Sequence, residues 1–175
     1  IVDYKKLNKQ AEEFIDKFEI KVGGTKSLVQ SMSGGNAQKL ILARETASKP
    51  DVILASYPVR GLDIKATESI HKILVNEKKR GAGVLLVSED FDEIFQLCDR
   101  VAVMYAGKIV EMGTCEDIFY RNAHPYTQAL LKSLPSVDAD KKDKLVSIPG
   151  TPPDLLAPPK GCAFAARCSH CMKLC

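Results

Sequence analysis

SMSGGNAQKLILARE, residues 31–45, decides the fold, because a small and flexible loop runs directly into an amphipathic helix. Ser33, Gly34 and Gly35 carry little side chain, and Asn36 opens the predicted helix. Free N–H groups at a helix N-terminus, together with the positive end of the helix dipole, favour negatively charged ligands. The stretch therefore predicts an anion-binding loop.

Composition and charge favour a globular protein and exclude several classes of function. The chain has 175 residues, of which 45% are hydrophobic and 27% are charged. A net charge of +3 is too small to indicate nucleic-acid binding. No apolar run approaches the roughly 20 residues of a membrane span, and we find no secretory signal. Membrane association would need a partner. The chain begins with Ile1 and ends with Cys175, which predicts a fragment.

Periodicity predicts helices that alternate with short apolar strands. We expect an amphipathic helix over residues 3–18, a polar loop over residues 19–30, and buried parallel strands at residues 52–55 and 84–87. Asp63 is the expected N-cap of the helix between the two strands. This alternation indicates an open α/β sheet.

The second half of the chain predicts a hairpin, two short helices and a linker. The expected elements are a hairpin over residues 101–112 turning at Ala106-Gly107, a Thr114–Asp117 capping box, a helix from His124-Pro125 to about Pro135, and a linker over residues 136–160. We expect His71 to face solvent, and Cys98 and Cys115 to lie in the core.

The opening stretch resembles the signature motif of ABC-type ATPases, whose usual form is LSGGQ, and we call residues 33–36 the signature-like loop. Its SGGN-x-QK form is similar to that of sugar and nucleoside importers. The resemblance implies an α/β fold, namely an incomplete P-loop NTPase (ABC ATPase) fold with a mostly parallel sheet, a helical signature region and a C-terminal Cys-rich extension. It implies a partial nucleotide-binding domain over residues 1–134, without its P-loop lobe, and the extension over residues 135–175.

The block DVILASYPVRGLD, residues 51–63, resembles the family's strand and loop that end in DEPT-x-x-LD. Aligned on its proline, Ser56 replaces the aspartate that holds Mg²⁺, and Tyr57 replaces the glutamate that activates water. A hydroxyl lacks the charge of a carboxylate, and a phenol is a poor general base at neutral pH. The resemblance implies that Asp63 lies at a dimer interface.

A third departure lies in LLVSEDFDE, residues 85–93, which resembles the family's switch segment, normally LLVTHD. Glu89 stands where the family has a histidine that contacts the γ-phosphate. A carboxylate beside a phosphate replaces a donor with a like charge. Ser56, Tyr57 and Glu89 therefore occupy catalytic positions in degenerate form, and the implied site binds nucleotide but hydrolyses it poorly.

The family's cassettes dimerise head to tail, with each ATP between the P-loop of one and the signature motif of the other. The resemblance therefore implies that the signature-like loop contacts ATP held by a partner, and that ATP and Mg²⁺ are the cofactors. The implied nucleotide-binding residues are Ser33, Gly34, Gly35, Asn36, Gln38 and Asp63. VGGTKS, residues 22–27, is not a P-loop, since that motif needs glycine at Ile20 and Thr25. We expect the chain alone to bind ATP weakly or not at all.

The tail resembles another branch of the same superfamily. HPYTQALLKSLP, residues 124–135, and IPGTPPDLLAPPKGCAFAARC, residues 148–168, resemble the C-terminal extension of oligopeptide, dipeptide and nickel importer ATPases. The implied protein is the ATP-binding subunit of an importer, at the cytoplasmic face of the cell membrane. Its implied partners are a second ATPase subunit, membrane permease subunits and, indirectly, a substrate-binding protein, with no nucleic acid.

Four cysteines end the chain with the spacing C-x₅-C-x₂-C-x₃-C: Cys162, Cys168, Cys171 and Cys175. Such a local cluster suggests a metal site in a reducing compartment rather than a disulfide framework. Some peptide-importer relatives bind a [4Fe–4S] cluster here, and four thiolates suffice for one. Zinc, with His170 as a spare ligand, and a set of reduced thiols are the alternatives.

Four alternative interpretations of the whole chain stay open at this point. The chain could serve a sugar or nucleoside importer, or a non-transport ABC protein. It could also be a metal-binding or redox-sensing module on a cassette scaffold, or an inert truncation product.

Overall fold

A computed structural model describes residues 3–134 and 147–175. The chain divides into two compact units, Ile1–Leu97 and Cys98–Cys175. The predicted helix end at Pro135 and the first part of the predicted linker, residues 136–146, lie outside the described residues. The predicted domain boundary between residues 134 and 135 stays a prediction.

The first unit alternates helices and strands, as the periodicity predicts. Its helix α2 begins at Gly34, two residues before the predicted start, because Ser33 rather than a later residue has the extended N-cap backbone. The elements are α1 (Tyr4–Lys17), a 3₁₀ turn (Val29–Ser31), α2 (Gly34–Thr46), β1 (Val52–Ser56), α3 (Ile64–Arg80), β2 (Gly83–Val87) and α4 (Phe91–Leu97).

Strands β1 and β2 pair in parallel, in register from Val52 opposite Gly83 to Ser56 opposite Val87. The predicted direction is therefore confirmed, but the predicted burial is wrong. Helices α2 and α3 cover one face only, and within the described residues the other face stays open. Four aliphatic side chains on these strands are 71%, 68%, 61% and 40% exposed: Val52, Leu54, Leu85 and Val87.

Two apolar clusters hold the first unit together. In one, Leu42 of α2 packs with Ala55 of β1 and with Ile70 and Leu74 of α3. In the other, residues of α1 and the chain after it pack on Ala43, which is fully buried. Helix α2 therefore belongs to both clusters, and this fixes the position of its N-terminal loop.

Helix α3 ends with well-defined caps on both sides. The Asp63 carboxylate accepts a hydrogen bond of 2.9 Å from the Ala66 N–H, which confirms the predicted N-cap. Gly81 ends the helix in a left-handed conformation with φ of 102°, the usual geometry for a terminal glycine.

The second unit contains the predicted hairpin. Strands β3 (Arg100–Tyr105) and β4 (Lys108–Thr114) pair antiparallel, with a register shift after Val103. Ala106 and Gly107 make the turn, with φ of 49° and 75°. Two helices follow, α5 (Cys115–Tyr120) and α6 (Pro125–Lys132).

The predicted capping box of α5 is confirmed. The Asp117 N–H donates to the Thr114 hydroxyl at 3.1 Å, and the Thr114 N–H donates to the Asp117 carboxylate at 3.2 Å. Helix α6 is capped by a histidine instead, because Nδ1 of His124 accepts a 3.1 Å hydrogen bond from the Tyr126 N–H.

The described tail packs on the hairpin through aromatic rings and one arginine. Phe164 is 2% exposed and its ring meets that of Tyr105 edge to face at 5.3 Å. The Arg167 guanidinium donates to the Tyr105 hydroxyl at 3.0 Å, and to the backbone oxygens of Ile148 and Pro149 at 2.8 Å each. Burial raises the pKa of the neighbouring Tyr126 hydroxyl above 10.0, and Tyr105 adds to this. Among the described helices, none has the length and apolar character that crossing a bilayer requires.

Candidate functional site

The signature-like loop forms the exposed start of α2. Asn36 organises it, because its Nδ2 donates to the Ser33 hydroxyl at 2.9 Å and its Oδ1 accepts from the Lys21 N–H at 2.8 Å. The Ser33 side chain makes no cap hydrogen bond to the helix it precedes. Since Ser33 and Gly34 are exposed, the loop offers a hydroxyl and helix N–H groups to a ligand.

The residues behind the loop anchor α2 to the preceding chain. Lys39 is 8% exposed, and its ammonium donates to the Glu19 backbone oxygen at 3.2 Å. Gln38 is half-buried on the same helix. Asp63 precedes α3 and is exposed, and its carboxylate accepts the hydrogen bond from the Ala66 N–H.

Two of the three positions at which the sequence predicts degenerate catalytic residues meet at a cleft of about 330 Å³. The cleft brings Tyr57 and Glu89 together, whereas Ser56, the exposed last residue of β1, is not part of its lining. The lining residues are Tyr57, Val59, Arg60, Gly61, Ser88, Glu89, Asp90 and Glu93.

Tyr57 stands in a strained position at the end of β1. Its φ is 48°, a conformation that non-glycine residues rarely adopt, and its N–H donates to the Val87 oxygen at 2.8 Å. The Arg60 guanidinium lies 5.7 Å from the centre of the Tyr57 ring. The cleft thus offers one guanidinium and a phenol beside three carboxylates, those of Glu89, Asp90 and Glu93, and like charges of this kind disfavour an anionic ligand.

The sequence analysis missed a buried polar network next to this cleft. Glu93 is 2% exposed; its Oε1 lies 3.1 Å from Nε2 of His71, and its Oε2 accepts from the Ser88 hydroxyl at 2.6 Å. The expectation that His71 faces solvent is therefore wrong, since its side chain is only 16% exposed. The Asp90-x-x-Glu93 spacing, typical of a capping box, was the one local signal, whereas nothing in the sequence pointed to His71.

The four terminal cysteines lie near one another as free thiols. Desolvation raises the pKa of the Cys171 thiol, and the thiols of Cys175, Cys168 and Cys162 raise it further. Backbone N–H groups donate to the sulfurs of Cys168 and Cys175 at 3.3 and 3.5 Å. Across residues 3–134 and 147–175, however, no three His, Cys, Asp or Glu side chains form a group that could hold a metal ion.

Comparison with known proteins finds a family match in the second half of the chain. Residues 110–175 match the family described as oligopeptide/dipeptide transporter, C-terminal region. The dipeptide transport ATP-binding protein DppD of Bacillus subtilis is 42% identical over 151 residues, which is 86% of this chain and 45% of that protein. The chain carries an oligopeptide/dipeptide transporter C-terminal region.

A second curated relative matches a similar part of the chain, and solved structures show its fold. The oligopeptide transport ATP-binding protein OppD of Bacillus subtilis is 42% identical over 143 residues, covering 81% of this chain and 40% of its own. A dimeric post-hydrolysis structure of the ATP-binding cassette MJ0796, bound to ADP and Pi, matches with a TM-score of 0.57 and 23% identity, over 66% of this chain and 50% of that one. The predicted ABC ATPase fold is thereby confirmed. The chain spans less than half the length of the curated relatives it matches.

Proposed function

We propose that this chain is part of the ATP-binding subunit of an ABC importer for oligopeptides or dipeptides. It couples ATP binding and hydrolysis to transport by acting on a second ATPase subunit and on membrane permease subunits, at the cytoplasmic face of the membrane. The relatives DppD and OppD, which are dipeptide and oligopeptide transport ATP-binding proteins and are both 42% identical, support peptides over sugars or nucleosides as the substrate class. They also favour a transport role over a non-transport ABC protein.

Within that assembly, the chain contributes to a partner's ATP rather than to its own. The observation that carries this proposal is the contrast between the signature-like loop and the cleft that Tyr57 and Glu89 line. The signature-like loop is exposed, and Ser33 keeps its hydroxyl clear of the helix it precedes. The cleft at the chain's own catalytic positions instead holds Tyr57 and Glu89.

The residues of the loop have separate tasks in this proposal. The Ser33 hydroxyl and the first N–H groups of α2 donate to phosphate oxygens of the partner's ATP, which Mg²⁺ accompanies. Asn36 holds the Ser33 oxygen as an acceptor, so the hydroxyl proton stays available to the phosphate. Gln38 supports α2, and Asp63 lies at the interface. These donors stabilise negative charge that develops during phosphoryl transfer.

Trans stimulation of ATP hydrolysis tests the proposal. The chain is mixed with a cassette that has an intact P-loop and catalytic glutamate, and phosphate release is followed at rising chain concentration. We expect faster turnover than with the cassette alone, lost in Gly34→Asp, because a carboxylate at the loop repels the phosphates. Ser31→Ala is the matched control, since the Ser31 hydroxyl bonds only locally to the Leu28 oxygen at 2.7 Å. Stimulation that survives Gly34→Asp contradicts the trans role.

Metal binding by the tail is a separate proposal. Support comes from four neighbouring thiols and two N–H···S contacts, although these thiols do not yet form a ligand group. Cys162, Cys168, Cys171 and Cys175 would hold a [4Fe–4S] cluster, which would cross-link the tail. Anaerobic purification with iron, sulfide and zinc determination separates cluster, zinc and reduced thiols. Cys168→Ser should remove any bound metal, and Cys98→Ser should leave it unchanged.

A further inference from the structure

Gly35 contacts a neighbouring helix more closely than any side chain would permit. It lies in the first turn of α2 and is half-buried. A Cβ at this position would stand 2.7 Å from the Cβ of Ala66 and 4.0 Å from its Cα. Carbon atoms in contact are ordinarily about 3.5–4.0 Å apart. Because the backbone of Gly35 is ordinary α-helix, its conformation does not require glycine; the contact with Ala66 does.

The contact joins the two loops that the proposed function places at the dimer interface. Ala66 belongs to the first turn of α3, and its N–H is held by the Asp63 carboxylate at 2.9 Å. Gly34, the residue beside Gly35, has no such close contact. A Cβ on Gly34 would meet only the Leu62 side chain, at an ordinary 3.6 Å.

We propose that Gly35 is a positioning residue that locks the signature-like loop to the loop before α3. The inference rests on the proposed function for its consequence in ATP hydrolysis. Gly35 fixes the spacing between the first turns of α2 and α3, so Ser33 and Asp63 reach a partner as one rigid surface. The absent side chain of Gly35 serves the contact with Ala66, while its N–H stays among the first N–H groups of α2 that the proposed function assigns to the ligand.

The sign of a stability change tests the contact itself. In a helix, replacing glycine with alanine normally stabilises, because alanine has the higher helix propensity. Gly35→Ala should do the opposite and lower the melting temperature by about 4 °C or more, since the new methyl overpacks against Ala66. Gly34→Ala, the matched control, should leave the melting temperature unchanged or raise it.

A compensating substitution separates this contact from a general defect. Ala66→Gly removes the methyl that the new Cβ meets, so Gly35→Ala/Ala66→Gly should melt within about 2 °C of Ala66→Gly alone. If Gly35→Ala does not fold, recovery of folding in the double variant supports the contact. Failure of the double variant to recover overturns it.

Hydrogen exchange tests whether the two loops are locked together. Gly35→Ala should speed amide exchange in the first turn of α3 as well as in residues 33–37, and Ala66→Gly should reverse both effects. Faster exchange in residues 33–37 alone means a local packing defect and overturns the positioning role.

The activity test is read independently of the exchange test. With the intact cassette in saturating amounts of chain, Gly35→Ala should lower the maximal stimulated rate, and the double variant should recover at least half of it. If the wild-type chain gives no stimulation, the proposed function is wrong, while melting and exchange still decide the contact. If Gly35→Ala melts at or above the wild-type temperature, the inference is wrong whatever the stimulation.

Discussion

Glu93 is the residue whose environment departs furthest from what its sequence context indicates. It is a carboxylate with 2% exposure, held between a histidine 22 positions earlier and a serine five positions earlier. Buried carboxylates are rare unless their oxygens are satisfied. Here both oxygens have partners, and the segment that carries Glu89 is tied to α3 through His71.

Replacing Glu93 should therefore destabilise the first unit. Glu93→Gln keeps the shape but brings a donor to one of the two partners, so we expect a loss of about 1–3 kcal/mol in the free energy of unfolding. Urea denaturation gives the measurement. Asp92→Asn, at an exposed neighbouring position, should cost less than about 0.5 kcal/mol. Equal effects for the two variants contradict the importance of the network.

Asp117 should make the stability of α5 dependent on acid pH. The Thr114 hydroxyl, 2.6 Å from the carboxylate, and then the Thr114 N–H hold the pKa of Asp117 below its ordinary 3.8, with a smaller effect from Arg121. A carboxyl with a lowered folded pKa stabilises the fold fully above its unfolded pKa. That contribution is lost as the pH falls through the folded value.

An NMR titration of the Asp117 carboxyl carbon measures this shift. The midpoint should lie below 3.8 in the wild type and in Thr114→Ser, which keeps the hydroxyl. It should move up in Thr114→Val, which has the same shape without the hydroxyl. A midpoint that is identical in Thr114→Val and the wild type removes the capping explanation.

Such local caps could be predicted from the sequence because their partners lie within a few residues. Asp63 with Ala66 and Thr114 with Asp117 are separated by three positions each, so spacing alone identifies them. The pair of His71 and Glu93 spans 22 positions and two helices. Periodicity carries no information on a contact of that kind.

Strands β1 and β2 show what a sequence pattern can and cannot predict about an element of secondary structure. A continuous apolar run is typical of a strand buried on both faces, and that pattern gave the correct position and direction for both strands. Burial depends on what packs against each face, which the run itself does not encode. Within the described residues, α2 and α3 cover only the face that carries Ile53 and Ala55.

The end of α3 offers a test of backbone conformation without any change in packing. Gly81 has φ of 102°, and a Cβ there would meet nothing within 4 Å. Gly81→Ala should therefore cost about 1 kcal/mol of stability through backbone strain alone.

The matched control is Gly83→Ala in β2, where the backbone is not left-handed. A Cβ there would meet only ordinary contacts, at 3.8 Å from the Asp51 oxygen and 4.0 Å from a Val52 methyl. Chemical denaturation of both variants measures the difference. If Gly83→Ala is the more destabilising of the two, strain at Gly81 is not the dominant effect.

Across the whole chain, motif order predicted the family, and the comparisons confirmed it. The tail motifs fall inside residues 110–175, which match the transporter region. What motif order could not supply is how the tail is fastened. In the second unit, Arg167 holds the tail through three hydrogen bonds to residues 18, 62 and 19 positions away. Long-range contacts of this kind produce no periodic pattern in the sequence.

Arg167 should accordingly control how firmly the tail stays attached. Arg167→Lys keeps the charge but cannot reproduce the planar set of donors, so we expect a loss of about 2 kcal/mol in the stability of the second unit. Limited proteolysis should cut residues 147–175 sooner in this variant. Arg121→Lys, whose ion pairs are surface-exposed, should cost at most about 1 kcal/mol. Similar proteolysis of both variants contradicts the role of Arg167.

The open face of β1 and β2 also governs how the isolated chain behaves in solution. Exposed aliphatic side chains on a sheet promote association between molecules in water. Unpaired strand edges can also pair with strands of other chains. Chaperones and hydrophobic dyes should bind this side of the sheet. Concentrated preparations should aggregate before dilute ones do. Because Val52, Leu54, Leu85 and Val87 are exposed, the protein should be kept at low concentration.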